Sequence, residues 1–377
     1  MSAIYFWAIV VAFLAASAYI AARVCCALKR QRAAWRVGVW VAVGVLDFGF
    51  FIGRALPSDW LWAGKVIYVT STMWMPVVLY ASAIMLVLDS IRVLLRATRG
   101  HAPFHTPFVV EFAASVTAIL LIVGYVNAVS PVETRYAVCT DKLDEGQNLT
   151  VALVSDIHMG HAVTRSDVER LVNMLNTSGA DMVLIPGDLI DGSLAPVTAY
   201  DLGADLAKIS APMGVFASMG NHEYIDDDAA AERYLRGLGR LTLLRDQQER
   251  VGAVRVIGRD DLSRERKARA RLPLSSFGRA DSLFTIVMDH QPAAIDEAVD
   301  FGADLVVSGH THAGQIWPMN LLTRLIYRLD YGFACYGGTS VVVTSGYGTW
   351  GPRVRIGTIA EVAMIDIKGT REPNDGR

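Results

Sequence analysis

Long apolar runs dominate the first third of the chain. A helix needs about 20 apolar residues to cross the hydrocarbon core of a bilayer, and four runs reach that length, at about 4–28, 37–56, 61–88 and 108–129. No Lys or Arg precedes Ile4 and three more apolar runs follow, which favours a membrane span over a cleaved signal peptide for the first run. Residues 1–130 are therefore predicted to form a transmembrane domain of four helices.

The pattern changes after residues 131–148, which we predict to be a linker. From Leu149 onward, short apolar runs end in polar, glycine-rich turns and alternate with stretches of helical periodicity. Strands are predicted at 149–155, 181–185, 214–218, 254–258, 283–288, 304–308, 340–344 and 358–367. Helices are predicted at 165–176, 197–209, 227–238 and 293–301. This alternation is typical of a layered α/β domain. We predict an α/β-β sandwich that spans 149–367 and precedes a polar tail at 368–377.

Charge divides the chain at the same place. Residues 1–130 contain ten Lys and Arg against four Asp and Glu, whereas the rest of the chain contains 25 and 33. A hydrophobic content of 53% excludes a disordered chain, and nothing indicates nucleic-acid binding. Basic residues concentrate in two loops, at 29–36 and 92–99. Because Lys and Arg resist translocation, these loops are predicted to be cytoplasmic, which places everything after the fourth span outside the cytoplasm.

Polar side chains that could bind a metal or take part in catalysis follow five of the predicted strands. They are Asp156 and His158, Asp188, Asn221 and His222, Asp289 and His290, and His310 and His312. These are loop positions at the carboxyl edge of a sheet, where α/β folds build their sites. Any one histidine alone would be interpreted as a surface or hydrogen-bonded residue, but five of the chain's eight histidines lie in these loops. The concentration therefore indicates one common site.

This set of side chains suits a pair of first-row divalent ions. Imidazole, carboxylate and one amide oxygen are typical ligands of Mn, Fe or Zn, whereas Mg and Ca favour shells made of oxygen alone. We favour manganese. Two such ions about 3.5–4 Å apart need one carboxylate to bridge them, and Asp188, alone in a tight turn with Gly187, is the expected bridge.

These motifs, read in order, resemble the signature of the calcineurin-like metallophosphoesterases over roughly 148–367. The matching segments are Asp156-x-His158, Gly187-Asp188, Gly220-Asn221-His222-Glu223, His290 and Gly309-His310-x-His312. Residues 309–315 and 348–352 resemble the bacterial membrane-associated branch of that family. The resemblance implies that one metal is held by Asp156, His158, Asp188 and His312. The other would be held by Asp188, Asn221, His290 and His310, and His222 would stay unligated as a catalytic residue.

The activity implied by this resemblance is hydrolysis of a phosphoester. A hydroxide bridging the metals would attack phosphorus in line, while His222 stabilises negative charge or protonates the leaving oxygen. Asp191 and Glu223 are candidate acceptors for the N–H groups of ligands. In a membrane-anchored chain we expect a phosphorylated lipid or cell-envelope precursor as substrate. The alternatives are a membrane sensor or scaffold with a non-catalytic domain, and a pyrophosphatase of UDP-lipids if the domain is cytoplasmic.

Four further features have alternative interpretations. Asp47 lies within the second span, where a polar partner on another helix is favoured over a role in transport. The six basic residues at 259–271 form either a solvated helix face or a surface for anionic headgroups or phosphate. Residues 317–331 repeat Leu and Ile at helical spacing, and would either pack on the core or lie in the membrane interface. A disulfide between Cys139 and Cys335 is possible in an exported domain.

Overall fold

The computed structural model describes residues 3–29, 31–267, 270–278 and 282–371. The chain divides into two compact units, one comprising Met1–Val126 with Gly351–Val354 and the other comprising Asn127–Trp350 with Arg355–Arg377. Arg30, Arg269 and the predicted tail from residue 372 onward lie outside the described residues.

Four long helices open the chain. They are α1 (Ala3–Ala27), α2 (Ala33–Ala55), α3 (Leu61–Arg99) and α4 (Thr106–Val129), with a short 3-10 helix at Ser58–Trp60. Each is long and apolar enough to cross a membrane, so the four predicted apolar runs are confirmed as helices and as candidate spans. The third helix continues past the predicted end of its apolar run because residues 89–99 contain good helix formers with no Gly or Pro.

Charged residues inside this helical region pair with groups on neighbouring helices. Asp47 in α2 accepts hydrogen bonds from Ser17 Oγ of α1 at 2.6 Å and from Trp74 Nε1 of α3 at 2.8 Å. Asp89 in α3 forms an ion pair with Arg23 in α1 at 2.5 Å. A carboxylate inside a helical bundle is costly without hydrogen-bond partners. The contacts of Asp47 therefore fit the expected structural role, in which it bonds to polar groups on other helices.

The rest of the chain contains two six-stranded sheets with mixed strand directions. The first sheet has the order β1 (Val132–Asp144), β12 (Glu361–Arg371), β2 (Asn148–Leu153), β3 (Met182–Pro186), β4 (Val215–Ser218) and β5 (Leu241–Leu243). The second has the order β10 (Gly332–Tyr336), β11 (Thr339–Val343), β9 (Leu305–Ser308), β8 (Phe284–Met288), β7 (Val254–Gly258) and β6 (Gln247–Val251). Strands β2 to β5 are mutually parallel, as are β7, β8, β9 and β11.

Helices connect and cover these strands. They are α5 (Arg165–Thr177), α6 (Leu194–Ala199), α7 (Leu202–Leu206), α8 (Asp228–Arg236), α9 (Ile295–Phe301) and α10 (Met319–Ile326). Short 3-10 helices occur at His222–Tyr224, Leu262–Lys267, Leu274–Phe277 and His312–Gly314.

The two sheets pack face to face, and helices cover their outer faces. Leu184 of the first sheet and Val307 of the second belong to the core between the sheets. Their neighbours Val183 and Val306 point the other way, into the cores under the helices, because successive side chains of a strand alternate between faces. This arrangement confirms the predicted layered α/β-β sandwich.

Some elements differ from the sequence-based expectation. The predicted linker at 131–148 contains β1, which pairs in parallel with β12 and was missed because this edge strand is largely polar. The strands β5, β6 and β10 are short or mostly exposed and have no long apolar run. The predicted helix at 197–209 is divided into α6 and α7, because Asp201 between them has a left-handed backbone with φ of 52°.

Both expectations for the basic stretch at 259–271 are wrong for the arginines whose contacts are described. Arg259 and Arg271 are buried and pair with Asp289 at 3.3 and 2.9 Å. Arg264 pairs with the buried Asp260 at 2.8 Å. Since these guanidinium groups are committed to carboxylates inside the domain, they form neither a solvated face nor an anion-binding surface.

The disulfide considered from the sequence is not formed. Cys139 lies in β1 and Cys335 in β10, and both are free and exposed. The described part of this domain is therefore held together by burial, hydrogen bonds and ion pairs.

Candidate metal centre

Five loops bring the predicted site residues together at one edge of the two sheets. The loops follow the carboxyl ends of β2, β3, β4, β8 and β9. Asn221 and His310 are half-buried, whereas His222 is buried. The other predicted ligands are also buried, namely Asp156, His158, Asp188, His290 and His312. All these side chains are thus placed where a layered α/β domain forms its site.

A first cluster consists of Asp156, His158 and His312, whose ligand atoms lie within 4.8 Å of one another. The Nε2 atoms of His158 and His312 are 3.0 Å apart, and His312 Nε2 is 3.3 Å from Asp156 Oδ1. Burial lowers the pKa of His158 to about 3 and raises that of Asp156 to about 6. Neutral imidazoles with nitrogen atoms facing each other and a carboxylate oxygen fit a cation among them.

Asp188 connects this cluster to a second one. Asp188 Oδ2 lies 3.2 Å from His290 Nε2 and 3.8 Å from His158 Nε2. The amide oxygen of Asn221 lies 3.1 Å from the same His290 nitrogen. Burial would raise the pKa of Asp188, but the adjacent His290 helps to hold it well below the usual value. A carboxylate that reaches both groups of ligands is what a pair of metal ions requires.

His310 approaches the second cluster from a half-buried position. Its ring centroid lies 5.2 Å from that of His290, and its backbone N–H donates to both carboxylate oxygens of Asp156 at 3.1 and 3.0 Å. Burial lowers the pKa of His310 to about 4, so the ring is neutral and has a lone pair for a metal. Its other neighbour is the ring of Tyr327, at a centroid distance of 5.9 Å.

The backbone at this site is strained. Positive φ values of 50 to 71° occur at Asp156, His158, Asp188, His310 and His312. Non-glycine residues seldom adopt this conformation, which costs about 1–3 kcal/mol each and concentrates at functional sites. The loops are also tightly packed, since a Cβ on Gly187 would lie 2.7 Å from both Gly220 Cα and His290 Nδ1. The fold therefore maintains an unfavourable backbone that aims these side chains at a common space.

His222 lies beside both clusters. Its Nδ1 is 2.9 Å from Asp191 Oδ1, and its Nε2 is 4.0 Å from Asp188 Oδ2. Burial opposes protonation, but the carboxylates of Asp188 and Asp191 outweigh it and raise the pKa of His222 to about 9. These carboxylates favour the protonated ring, in which Nδ1–H donates to Asp191 and Nε2 faces the clusters.

Glu223 organises the loops themselves. It accepts hydrogen bonds from the backbone N–H groups of Asp188, Ile190 and Gly220 at 3.1, 2.8 and 2.7 Å. Burial raises its pKa to about 7. The sequence suggested that Asp191 and Glu223 accept from N–H groups of ligands. Glu223 does so for the backbone N–H of the predicted ligand Asp188, whereas Asp191 binds His222.

One buried residue at the site was missed from the sequence. Arg355 is completely buried, and its Nη2 lies 3.3 Å from His312 Nδ1. The same nitrogen donates to the carbonyl oxygens of Gly346 and Gly348 at 2.9 and 2.6 Å. Gly348 in turn donates its N–H to Asp156 O at 2.7 Å. Arg355 thus fixes the loop that supports Asp156, and its only sequence signal is its position just after the motif at 348–352.

The part of the sequence that contains these residues is similar to known proteins. The family described as calcineurin-like phosphoesterase matches residues 149–314. An uncharacterized metallophosphoesterase of Aquifex aeolicus is 30% identical over 241 residues, which cover 62% of this chain and 91% of the relative. A transmembrane protein with metallophosphoesterase domain from Danio rerio is 31% identical over 277 residues, covering 68% of this chain and 62% of the relative.

Other matches cover different shares of the two proteins. This chain spans 61% of the length of each of two Helicobacter pylori relatives. Among solved structures, a calcineurin-like phosphoesterase, YfkN from Bacillus subtilis, is 14% identical, with 58% of this chain and 90% of that chain covered and a TM-score of 0.36.

The chain belongs to the calcineurin-like metallophosphoesterase family. It is a metal-dependent phosphoesterase with an intact set of buried His and Asp residues for metal binding.

Proposed function

We propose that the chain is a membrane-anchored hydrolase that uses two divalent metal ions, with manganese favoured. Asp156, His158, Asp188 and His312 would hold one ion, and Asp188, Asn221, His290 and His310 would hold the other. The observation that supports this division is the position of Asp188, 3.2 Å from His290 and 3.8 Å from His158. Both sets combine imidazole with carboxylate, which is the ligand chemistry of first-row divalent ions.

The chain's own groups account for binding and proton transfer. When bound, two metal ions would polarise the phosphoryl oxygens and lower the pKa of the attacking water. His222 would donate the proton on Nε2 to the leaving oxygen. Asp191 holds Nδ1 of that ring at 2.9 Å, which sets its orientation and favours the protonated form. Asp191 is not one of the proposed ligands. It would therefore still favour the protonated form of His222 when Asp188 binds metal.

Hydrolysis by the full-length chain tests this proposal. The chain is purified in detergent, stripped with a chelator and reloaded with Mn²⁺, Fe²⁺ or Zn²⁺, and hydrolysis of aryl phosphate monoesters and diesters is measured. We expect turnover that requires added metal. Binding of the aryl phosphates without turnover under every metal condition would contradict the proposal and favour a non-catalytic sensor or scaffold.

For the substrate we propose a phosphorylated lipid or cell-envelope precursor. Four helices of the chain are candidate membrane spans, and the Danio rerio relative is named as a transmembrane protein. An anchored site meets substrates in or near the bilayer at high local concentration. We expect kcat/KM to be highest for lipid-linked phosphoesters in a panel that also contains soluble phosphoesters and diacylated UDP-sugars. Preference for the UDP-sugars would instead assign a pyrophosphatase activity. Preference for soluble esters would contradict the proposed lipid-linked substrate.

We also propose that the catalytic domain lies outside the cytoplasm, on the basis of the basic loops at 29–36 and 92–99. The native cysteines provide the test, because Cys139 and Cys335 are exposed and both lie in the unit that contains the candidate metal centre. In a variant that lacks Cys25 and Cys26, a membrane-impermeant maleimide should label intact cells. In the matched variant that retains only Cys25 and Cys26, labelling should require permeabilised cells. The reverse pattern would place the domain in the cytoplasm.

A further inference from the structure

The helix α10 leaves large apolar side chains in contact with solvent. Leu325 is 84% exposed and Ile326 is 62% exposed, and no residue of the helix is buried. Leu321, Leu322 and the preceding Trp317 are also exposed. The apolar side chains of α10 therefore do not pack on the core, which was one of the two expectations for residues 317–331, whereas Leu329 after the helix does pack on it. A contiguous apolar surface of this kind marks a site of interaction in a soluble domain.

This helix is fixed directly to the metal centre. Thr311, which lies between His310 and His312, donates its hydroxyl to the backbone carbonyl of Asp330 at 2.6 Å. The residue that follows α10, Tyr327, has its ring centroid 5.9 Å from that of His310. The exposed apolar surface therefore borders the space in which a phosphoester would bind.

The other side of α10 faces residues of its own unit, which begins at Asn127. A cavity of about 490 Å³ is lined by Asn320 and Arg324 on the helix side and by Asn127, in the last turn of α4. Asn127 is tied to the domain, because its side chain donates to Arg355 O at 3.1 Å and its carbonyl accepts from Ala360 N at 3.3 Å. Only residues 130–131 separate α4 from β1. Within its own unit, α10 therefore lies across this cavity from Asn127, the residue at which that unit joins the fourth candidate span.

We propose that α10 and Trp317 form a membrane-docking surface. The apolar face enters the interfacial layer of the bilayer that the chain's own spans cross, and the exposed Arg324 contacts anionic lipid headgroups. Interfacial helices combine apolar residues with Arg or Lys, and Trp is enriched at the same depth. Arg328 has a different role, because it pairs with Asp296 and lies 3.9 Å from the ring centroid of Tyr336.

Docking also defines the route of the substrate, and this part rests on the proposed hydrolase function. A lipid-linked phosphoester would pass along α10 from the bilayer to the metal centre, because Leu325 and Ile326 precede Tyr327, which contacts His310. The acyl chains then remain in the lipid while only the headgroup reaches the site.

Fluorescence quenching tests the docking without any catalysis. The full chain, with its four cysteines replaced by serine, carries a single Leu325→Cys labelled with an environment-sensitive dye and is reconstituted into vesicles that contain spin-labelled lipids. Glu249→Cys on the exposed strand β6 is the matched control. We expect quenching by the lipids to be at least about threefold stronger at position 325 than at 249. Equal quenching at the two positions would overturn the proposal. Protection of position 325 from aqueous iodide without quenching by lipids would also overturn it and would indicate a protein partner.

A second readout tests the route of the substrate. For each variant, kcat/KM on a vesicle-borne phosphoester is divided by kcat/KM on a soluble aryl phosphodiester, so that general damage to the enzyme cancels. We expect Leu325→Glu to lower this ratio about tenfold. Leu272→Glu, at an exposed apolar position elsewhere in the domain, should leave it unchanged. An unchanged ratio for Leu325→Glu would overturn the proposed route of the substrate. A wild-type chain that is inactive on both substrates would contradict the hydrolase function instead, and membrane docking would then be decided by fluorescence quenching alone.

Discussion

Polar groups with little or partial exposure serve different purposes in the helical region and at the metal centre. The carboxylate of Asp47 receives hydrogen bonds from Ser17 and Trp74, so donors and acceptor are matched. At the metal centre, His158 Nε2 and His312 Nε2 face each other at 3.0 Å. Hydrogen-bond donors and acceptors that pair with each other stabilise a fold. Nitrogen and oxygen atoms that direct lone pairs into the same space instead need a ligand in that space. The geometry of the partners, more than burial itself, separates structural from chemical polar residues.

The backbone shows the same contrast. Within the described residues, non-glycine positions with positive φ begin at Asp156, and α1 to α4 have none. Several of those positions are predicted ligands, and strain of about 1–3 kcal/mol at each is a cost that packing must offset. The membrane helices need only regular hydrogen bonding to be stable in lipid. Substitutions in the two regions should therefore affect different quantities.

The largest effect is expected for Asp188→Ala, which removes the proposed bridge. Less than one metal ion per chain should remain, and turnover should fall about 10³-fold. Elemental analysis and hydrolysis of an aryl phosphodiester measure the two effects. Asp201→Ala is the matched control, since Asp201 has the same φ of 52° but is exposed and is not one of the proposed ligands. If Asp188→Ala bound the wild-type amount of metal, the bridging role would be lost.

Substitution of His222 should separate catalysis from metal binding. His222→Ala should retain bound metal and lose about 10²–10⁴-fold in kcat, because the proton donor is absent but the proposed ligands remain. His101→Ala, at an exposed histidine in the loop before α4, should behave as wild type. Unchanged kcat in a metal-replete sample of His222→Ala would contradict the proposed role.

A smaller effect is expected for Asp191→Asn, since Asp191 acts through His222. Loss of the carboxylate should reduce activity about 10–100-fold. Asp191 raises the pKa of His222, so its removal lowers that pKa. The acid form of His222 would then be lost at lower pH, and the alkaline limb of the kcat profile should move to lower pH. An alkaline limb at the wild-type pH would show that Asp191 does not control His222.

The smallest effect is expected in the helical region. Asp47→Ala leaves the hydroxyl of Ser17 and the indole N–H of Trp74 without this acceptor, which should cost about 1 kcal/mol of unfolding free energy. Activity and metal content should not change. Thermal unfolding in detergent, measured together with hydrolysis, checks both statements. Loss of activity at unchanged stability would give Asp47 a functional role and remove the contrast between the two regions.

The features that sequence predicts well depend on local patterns. The buried strands β2 and β3 read as short apolar runs, and the ligands follow their ends because parallel strands bring their carboxyl termini to one edge. The strand β1 was missed because an edge strand needs no apolar run. Membrane spans were predicted because their length and apolarity are local properties.

Features that depend on distant partners were not accessible in this way. Arg355 acts on carbonyl groups and on His312 through a folded loop, and nothing adjacent in sequence indicates those contacts. The arginines at 259 and 271 looked like a charged surface because their partner Asp289 lies in another loop. A count of charges describes a segment, whereas burial and pairing depend on the fold.

The metal content of the full-length chain tests the central claim most directly. The chain is stripped with a chelator, dialysed against excess Mn²⁺, freed of unbound metal and analysed for manganese per chain. Two manganese ions per wild-type chain, falling below one in Asp188→Ala, are the predicted result. Less than half an ion per wild-type chain, with Fe²⁺ and Zn²⁺ giving the same value, would contradict a dimetal centre.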